Sequence, residues 1–311
     1  MIDLMSKKNY FFGISLIIIL AGIIGLIING LNYDIQFQGG TIIQFEMSDD
    51  NFDANEIGTQ LRDMLNKKVT PQKLQTFNPQ DENEKINILM LKVPSDDTLT
   101  DTEINNVDEL LKEKYGAKGI QQTQSVQPFI ASEIKKNGVK AVFVASLLII
   151  LYIWWRFSTM SGLPAAIMAL IALAHDALVM FSAYAIFKIP MNESFIAAVL
   201  TILGYSLNDT IVVYDRIREN SNRMRKAPLD ELVNTSIIQS LSRTVNTSVT
   251  TLLAIIIVYI FAAVNNIQSI KEFAFPLIIG LISGTYSSIF IASPLWMMWR
   301  QHKARERVVA R

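Results

Sequence analysis

Long apolar runs separated by one polar block dominate this chain. Six runs reach or approach the roughly 18–20 residues that a helix needs to cross a bilayer. They cover Phe11–Ile28, Val139–Trp155, Leu163–Phe187, Phe195–Tyr214, Val245–Val264 and Phe275–Met298. Residues 31–137, between the first two runs, are instead rich in Asp, Glu, Lys, Asn and Gln. The pattern predicts a polytopic α-helical membrane protein with six transmembrane helices and one polar domain of about 100 residues.

The first apolar run has two possible interpretations. Lys7 and Lys8 precede it, as basic residues precede the apolar core of a secretory signal. Its apolar stretch is too long for a signal, however, and no small-residue cleavage site follows it. We therefore expect a retained transmembrane helix.

Within residues 31–137 the periodicity changes to short strands and helices. The predicted elements are a strand at Ile35–Met47, a helix at Asp53–Leu65, strands at Lys73–Asn78 and Ile86–Val93 joined by a turn at 79–83, a helix at Thr100–Tyr115 and a strand at Ile120–Val126. The order β-α-β-β-α-β predicts an α+β ferredoxin-like domain. That fold hosts many functions, so it does not by itself indicate one.

A glycine pair interrupts the first predicted strand, in the segment Phe37-Gln38-Gly39-Gly40. Glycines inside a strand often mark a bulge or a bend. Alternatively, Phe37, Gly39 and Gly40 form a hinge between the polar domain and the first membrane helix. The sequence leaves both interpretations open.

Charge distribution sets the expected topology. The chain has 28 basic and 28 acidic residues and no Cys, which excludes disulfides and thiolate metal sites and argues against a nucleic-acid partner. Basic residues cluster on one side of the predicted helices, at positions 7, 8, 156, 216, 218, 223, 225, 226, 243, 300, 303, 305, 307 and 311. Positive charges mark the cytoplasmic side. Both termini are therefore expected in the cytoplasm and the polar domain outside it.

This topology divides the chain into four parts. We expect a cytoplasmic N-terminus and first helix at 1–30, and the extracytoplasmic domain at 31–137. Helices two to six follow at 138–299, with a basic cytoplasmic loop at 215–243, and a basic cytoplasmic tail occupies 300–311. Within the loop, residues 228–241 predict an amphipathic helix on the inner membrane face.

An acidic residue inside the fourth run is the strongest functional signal. Asp209 shares one polar stripe of the predicted helix with Ser206 and Asn208. A carboxylate at bilayer depth costs at least ~2.5–3.5 kcal/mol, so intramembrane acids usually mark ion or proton paths. A buried acid with a purely structural role is the alternative.

The third and fifth runs add further ionisable and hydroxyl groups. Arg243 and Thr247 begin the fifth run, where Arg243 is either a cytoplasmic anchor or an electrostatic partner of Asp209. His175 and Asp176 lie near the middle of the third run and either join proton movement or bond a neighbouring helix. One His-Asp pair is too small for a zinc site, and we expect no metal and no cofactor. The sequence contains no nucleotide-binding or hydrolase motif, so we expect no enzymatic activity.

Two long motifs resemble those of a known family. The segment 204–220, GYSLNDTIVVYDRIREN, resembles the signature of the SecF branch of the SecD/SecF family, membrane subunits of the bacterial Sec translocase. The segment 240–251, SLSRTVNTSVTT, resembles that branch's second signature, and Phe37-Gln38-Gly39-Gly40 matches its F-x-G-G element. One position departs from the pattern, because Gln36 replaces the usual Asp before F-x-G-G.

The resemblance implies a membrane domain of the resistance–nodulation–division type in the bacterial plasma membrane. It implies a SecD partner with a matching half, association with the SecYEG channel and unfolded preproteins as substrates. Proton or sodium flow would drive late steps of export, with Asp209 as the important acid and Arg243 as the important arginine. Two other functions stay open: half of a small-molecule or lipid exporter, and a passive scaffold that stabilises a channel.

Overall fold

The computed structural model describes residues 3–78, 81–97, 99–265 and 267–309. In chain order the elements are α1 (Lys8–Asn29), α2 (Ile35–Gln38), β1 (Gly40–Met47), α3 (Ala54–Leu65), β2 (Thr70–Asn78), β3 (Asp81–Pro94), α4 (Asp101–Tyr115), β4 (Ala117–Val126), α5 (Pro128–Arg156), α6 (Gly162–Phe187), α7 (Glu193–Arg223), α8 (Leu229–Val264), α9 (Gln268–Ser287) and α10 (Ser293–Val309).

The prediction of six membrane helices is confirmed. The described residues include six helical segments long and apolar enough to cross a bilayer: α1, α5, α6, α7, α8, and the segment from α9 into α10. A π-helical turn at Ser288–Ala292 joins α9 to α10 without ending the segment. The bundle core contains Tyr214 and Trp296, both almost fully buried, packed among aliphatic side chains of α6, α7 and α8.

The region 215–243 differs from its prediction in two respects, although the helix predicted at 228–241 is present. Residues 215–243 are mostly helix rather than loop, because α7 continues to Arg223 and α8 begins at Leu229. Ion pairs one turn apart, Asp215–Arg218 and Glu219–Arg223, support this extension of α7. The amphipathic stretch 228–241 is the first part of α8, and its apolar side chains are buried in the protein core instead of facing the membrane surface.

The polar block folds as a four-stranded antiparallel sheet in the order β2-β3-β1-β4, with α3 and α4 packed against it. Alternation along β1 buries Ile43, Phe45 and Met47 beside Leu61 of α3 and Leu111 of α4. This order of strands and helices follows the predicted sequence of elements. The predicted turn at 79–83 begins at residues 79 and 80, which lie outside the described part of the chain.

Side-chain hydrogen bonds cap the starts of α3 and α4. Asp53 accepts hydrogen bonds from two backbone N–H groups at the start of α3, and Thr100 and Glu103 form a capping box on α4. Lys67 donates to Glu103 at 2.7 Å. That hydrogen bond, together with those from Thr100, lowers the pKa of the partly exposed Glu103 to about 2.

The first predicted strand begins later than expected. Its first residues, Ile35–Gln38, form one turn of helix instead, because the Asp34 carboxylate caps the N–H of Ile35 at 2.6 Å and Gly39 ends the turn in a positive-φ conformation. Strand pairing starts at Gly40. The bulge interpretation of the glycine pair is also wrong, since the register irregularities of β1 against β4 lie between Gln44 and Met47.

The segment around α2 ties the sheet to the membrane bundle. Lys92 of β3 pairs with Asp34 at 2.7 Å, and the N–H of Asp34 donates to the carbonyl of Met191, which precedes α7. Gln36, the residue directly before the F-x-G-G element, donates to Glu193 at 3.3 Å and accepts from its N–H at 3.2 Å. A carboxylate at position 36 would face the carboxylate of Glu193, so the amide suits this site.

The glycine pair is closely packed. Gly40 has φ +141°, and a Cβ added there would lie 2.2 Å from the carbonyl oxygen of Val93. A Cβ on Gly39 would lie 3.0 Å from the backbone of Pro128. Whether Gly39, Gly40 and the buried Phe37 act as a hinge stays a prediction, but any side chain at the pair would disturb the resting structure.

We expect Gly40→Ala to destabilise the sheet domain by more than the ~1–3 kcal/mol typical of backbone strain alone, since it adds a steric clash to an unfavourable φ. Gly119→Ala is the matched control, because Gly119 has φ +137° and only the end of the Lys112 side chain nearby. For both variants, the measurement is the denaturant concentration at which the full chain in nanodiscs loses its resistance to protease. Equal losses would contradict the packing argument.

Candidate functional site in the membrane bundle

Close approach of α9 to α7 builds the interior of the bundle. Gly280 and Gly284 are four residues apart on the face of α9 that touches α7. A Cβ added to Gly280 would lie 2.5 Å from Ile202, and one added to Gly284 would lie 2.8 Å from Ser206. Small residues at this spacing let membrane helices approach and exchange polar contacts.

Asp176 of α6 occupies the centre of this contact and is completely buried. Its carboxylate accepts hydrogen bonds from Ser206 of α7 at 2.7 Å, from Ser283 of α9 at 2.6 Å and from Ser287 of α9 at 2.7 Å. Distances in this range are those of well-formed O–H···O hydrogen bonds. Three donors therefore offset much of the cost of burying Asp176 among apolar helices.

His175 faces a different neighbour. Its Nδ1 lies 3.3 Å from Asp176, and its ring packs on Tyr286 with 6.1 Å between centroids. Tyr286 in turn donates to the carbonyl of Phe11 in α1 at 2.5 Å. The His175 Nε2 is buried and has no hydrogen-bond partner among the residues that the structure describes.

Asp209 of α7 is only 1% exposed, yet its surroundings are much less polar. Ser248 of α8 donates to its carboxylate at 3.2 Å, and Thr285 of α9 donates to Ser248 at 2.7 Å. Within the described residues Asp209 belongs to no ion pair. The charge of Arg243 acts on Asp209 only from beyond ion-pair distance.

The residues predicted from the sequence divide into two groups. Asp176, His175, Ser206 and Asp209 are buried inside the bundle. The hydroxyl of Ser206 donates to Asp176, however, rather than to Asp209. The other three are exposed on α7 and α8: Asn208, Arg243 and Thr247, whose hydroxyl bonds the carbonyl of Arg243 in its own helix.

Four hydroxyl residues of the interior were missed by sequence reasoning. They are Ser248, Ser283, Thr285 and Ser287. For the last three, the signal was the hydroxyl-rich run 283–288, SGTYSS, within an otherwise apolar span, whereas Ser248 lies in the second motif, 240–251. Serine and threonine hydroxyls both donate and accept, so beside a carboxylate they can hold or pass a proton. No three potential metal ligands of the types His, Cys, Asp and Glu come together among the described residues.

Comparison with known proteins shows which family the chain belongs to. A family profile described as "Protein export membrane protein SecD/SecF, C-terminal" matches residues 106–302. The chain is 36% identical over 314 residues to the protein translocase subunit SecF of Alicyclobacillus acidocaldarius, across 98% of this chain and 94% of the relative. The chain belongs to the SecD/SecF family.

Longer members of the family contain a region similar to this chain. The protein translocase subunit SecDF of Bacillus subtilis is 32% identical over 310 residues, which are 98% of this chain and 39% of that protein. The crystal structure of SecDF from Thermus thermophilus, a translocon-associated membrane protein, superposes with a TM-score of 0.79 at 30% identity. The match covers 96% of this chain and 39% of that structure, so the chain spans about two-fifths of its length.

Removing one serine donor to Asp176 tests whether the hydroxyl groups around this carboxylate stabilise the bundle. We expect Ser283→Ala to lower the free energy of unfolding by about 1–3 kcal/mol, because it leaves a buried carboxylate short of one hydrogen bond. Ser240→Ala is the control: Ser240 is also buried, but it donates only to the Ser236 carbonyl of its own helix. Unfolding in mixed micelles measures both, and an equal loss in the two variants would contradict a special role for Ser283.

Proposed function

We propose that this chain is the SecF-type subunit of the bacterial Sec preprotein translocase. In this proposal it acts with SecD and uses the proton gradient, or a sodium gradient, to drive late steps of protein export. The naming of its relatives as protein translocase subunits supports the role in translocation. The observation that supports the ion coupling is the buried Asp209 inside a membrane-spanning helix, which among the described residues receives a single hydrogen bond, at 3.2 Å.

The contrast between the two buried acids selects Asp209 over Asp176. Asp176 is held by three serines from two helices, so moving a proton onto it would disrupt a satisfied network. Asp209 depends on Ser248 of α8, and only 11% of the most apolar 18 residues of that helix are buried. A proton on Asp209 would remove a poorly compensated buried charge and release α8 to shift against α7.

The energy available matches a motion of this kind. Each charge that crosses at 100 mV releases about 2.3 kcal/mol. That amount is comparable to exchanging a few polar contacts, and it biases a two-state equilibrium strongly. Arg243, at the exposed surface, would sense the loss of charge on Asp209 through the electrostatic interaction between them.

A partner half follows from the exposed polar residues of the spanning helices. Asn208 and Thr247 lie within spans and would face hydrocarbon if the bundle were alone, which is unfavourable. A second six-helix half would cover them, and the SecDF relatives support SecD as that half. Through SecD the complex would associate with the SecYEG channel and act on unfolded preproteins.

The proposed location is the bacterial plasma membrane, with both termini cytoplasmic. The domain at 31–137 would lie outside the cytoplasm as a ferredoxin-like module, which the strand order β2-β3-β1-β4 supports. Its attachment to Met191, two residues before α7, through the N–H of Asp34 would carry helix motion to the domain.

Neutralising Asp209 tests the coupling. We expect Asp209→Asn to abolish gradient-stimulated export from membrane vesicles while leaving the amount of chain and its binding to SecD intact. Asp215→Asn is the control on the same helix, because Asp215 is partly exposed and paired with Arg156 and Arg218 at 2.9 Å each. Wild-type stimulation in Asp209→Asn vesicles would favour the passive scaffold.

Single cysteines test the topology in this chain without native Cys. Glu113→Cys on α4 and Lys226→Cys between α7 and α8 both place an exposed thiol outside the spans. The reagent is a membrane-impermeant maleimide, added to cells whose outer envelope is permeable to it and whose plasma membrane is intact. It should label position 113 and leave position 226 unlabelled until the plasma membrane is broken. The reverse order of labelling would overturn the proposed orientation.

A further inference from the structure

A large apolar groove lies outside the acid-containing interior. Its volume is about 930 Å³, and α5, α6 and α7 form its walls. The lining is almost entirely apolar, with Phe143 and Leu147 on α5 facing Leu178 on α6 and Val199 on α7. Phe143 is 69% exposed, so the groove opens sideways toward the surroundings of the bundle. Neither Asp176 nor Asp209 lines it.

The groove has the depth of one leaflet. On α5 its apolar lining runs from Val139 to Ile150, and on α6 from Phe181 to Leu170. Each interval is 11 residues (150 − 139 and 181 − 170), or about 16 Å at ~1.5 Å per residue. Half of the roughly 30 Å hydrocarbon core is about 15 Å. A partner transmembrane helix needs a groove across the whole core, so the depth favours a lipid chain.

A basic side chain marks the end of the groove nearest the sheet domain. Lys135 lines the groove there, and its ammonium lies 4.8 Å from the ring centroid of Tyr33. Lys135 belongs to no ion pair in the described residues. The start of α5 carries one acid, Glu133, against Lys135, Lys136 and Lys140, which leaves a local charge of +2 (3 − 1).

We propose that this groove binds one anionic phospholipid from the leaflet on the side of the sheet domain. An acyl chain would lie between α5 and α6, and the phosphate would meet Lys135. The same end of the groove is lined by Tyr33, Phe37 and Met191, the residues that connect the bundle to the sheet. A bound lipid would therefore stabilise the connection between the bundle and the sheet. The inference depends on α5–α7 spanning the membrane and does not depend on ion coupling.

Native mass spectrometry of the full chain, released from nanodiscs of equal phosphatidylglycerol and phosphatidylethanolamine, tests the headgroup contact. We expect the wild-type chain to retain one phosphatidylglycerol in preference, and Lys135→Glu to reduce that retention about fivefold. Lys136→Glu is the matched control, because it makes the same charge change at an exposed residue that does not line the groove. No preference in the wild type, or equal loss in both variants, would overturn the proposal.

A second pair of variants tests the acyl chain. Ala174→Trp adds bulk at an exposed position of the groove lining, whereas Val144→Trp adds the same bulk at an exposed position of α5 outside it. We expect only Ala174→Trp to lose the retained lipid. A photoreactive phenylalanine at Phe143 should form adducts with lipid, and adducts with a protein helix instead would overturn the assignment. Asp209→Asn should retain the lipid whether or not the proposed coupling holds.

Discussion

The cost of placing carboxylates among apolar helices constrains this structure more than any other interaction. An uncompensated charge there is too expensive to keep, so Asp176 requires several donors. The donors come from Ser206 on α7 and from two serines on α9. They reach the carboxylate only because Gly280 and Gly284 let α9 approach α7 without intervening side chains. One buried carboxyl group thus accounts for the serine hydroxyls around it and for the close approach of α9 to α7.

Asp209 lies one helical turn from Ser206 and differs from Asp176 in its hydrogen-bond donors. Among the described residues one hydroxyl, at 3.2 Å, donates to it, and that hydroxyl belongs to α8, whose most apolar stretch has little cover from the rest of the chain. An acid held this loosely is suited to gaining and losing a proton, whereas the tightly held Asp176 is suited to fixing α6, α7 and α9 together. The two acids therefore divide structural and responsive roles in the proposed function.

The connection between bundle and sheet is built from short-range contacts. Asp34 caps α2, pairs with Lys92 of the sheet and bonds the backbone of Met191. Gly39 and Gly40 bring β1 against β3 and Pro128 with no room for a side chain. A shift of the α6–α7 connection would therefore pull directly on the first strand. The groove beside Tyr33 and Phe37 places the proposed lipid at the same junction.

Hydrophobic periodicity alone determined the six spans, the strand and helix order of the polar block and the position of Asp209 within a span, because these depend on local composition. The extent of α7 was misjudged, since its polar helical residues 215–223 look like a loop in sequence. The helix at 228–241 was predicted, but its burial in the protein core was not. The partners of the acids were beyond sequence reasoning. Ser206 is one helical turn from Asp209, but its hydroxyl donates to Asp176, which is 30 positions from Ser206 in the sequence. Which hydroxyl meets which carboxylate depends on how three helices pack, and only the tertiary structure decides that.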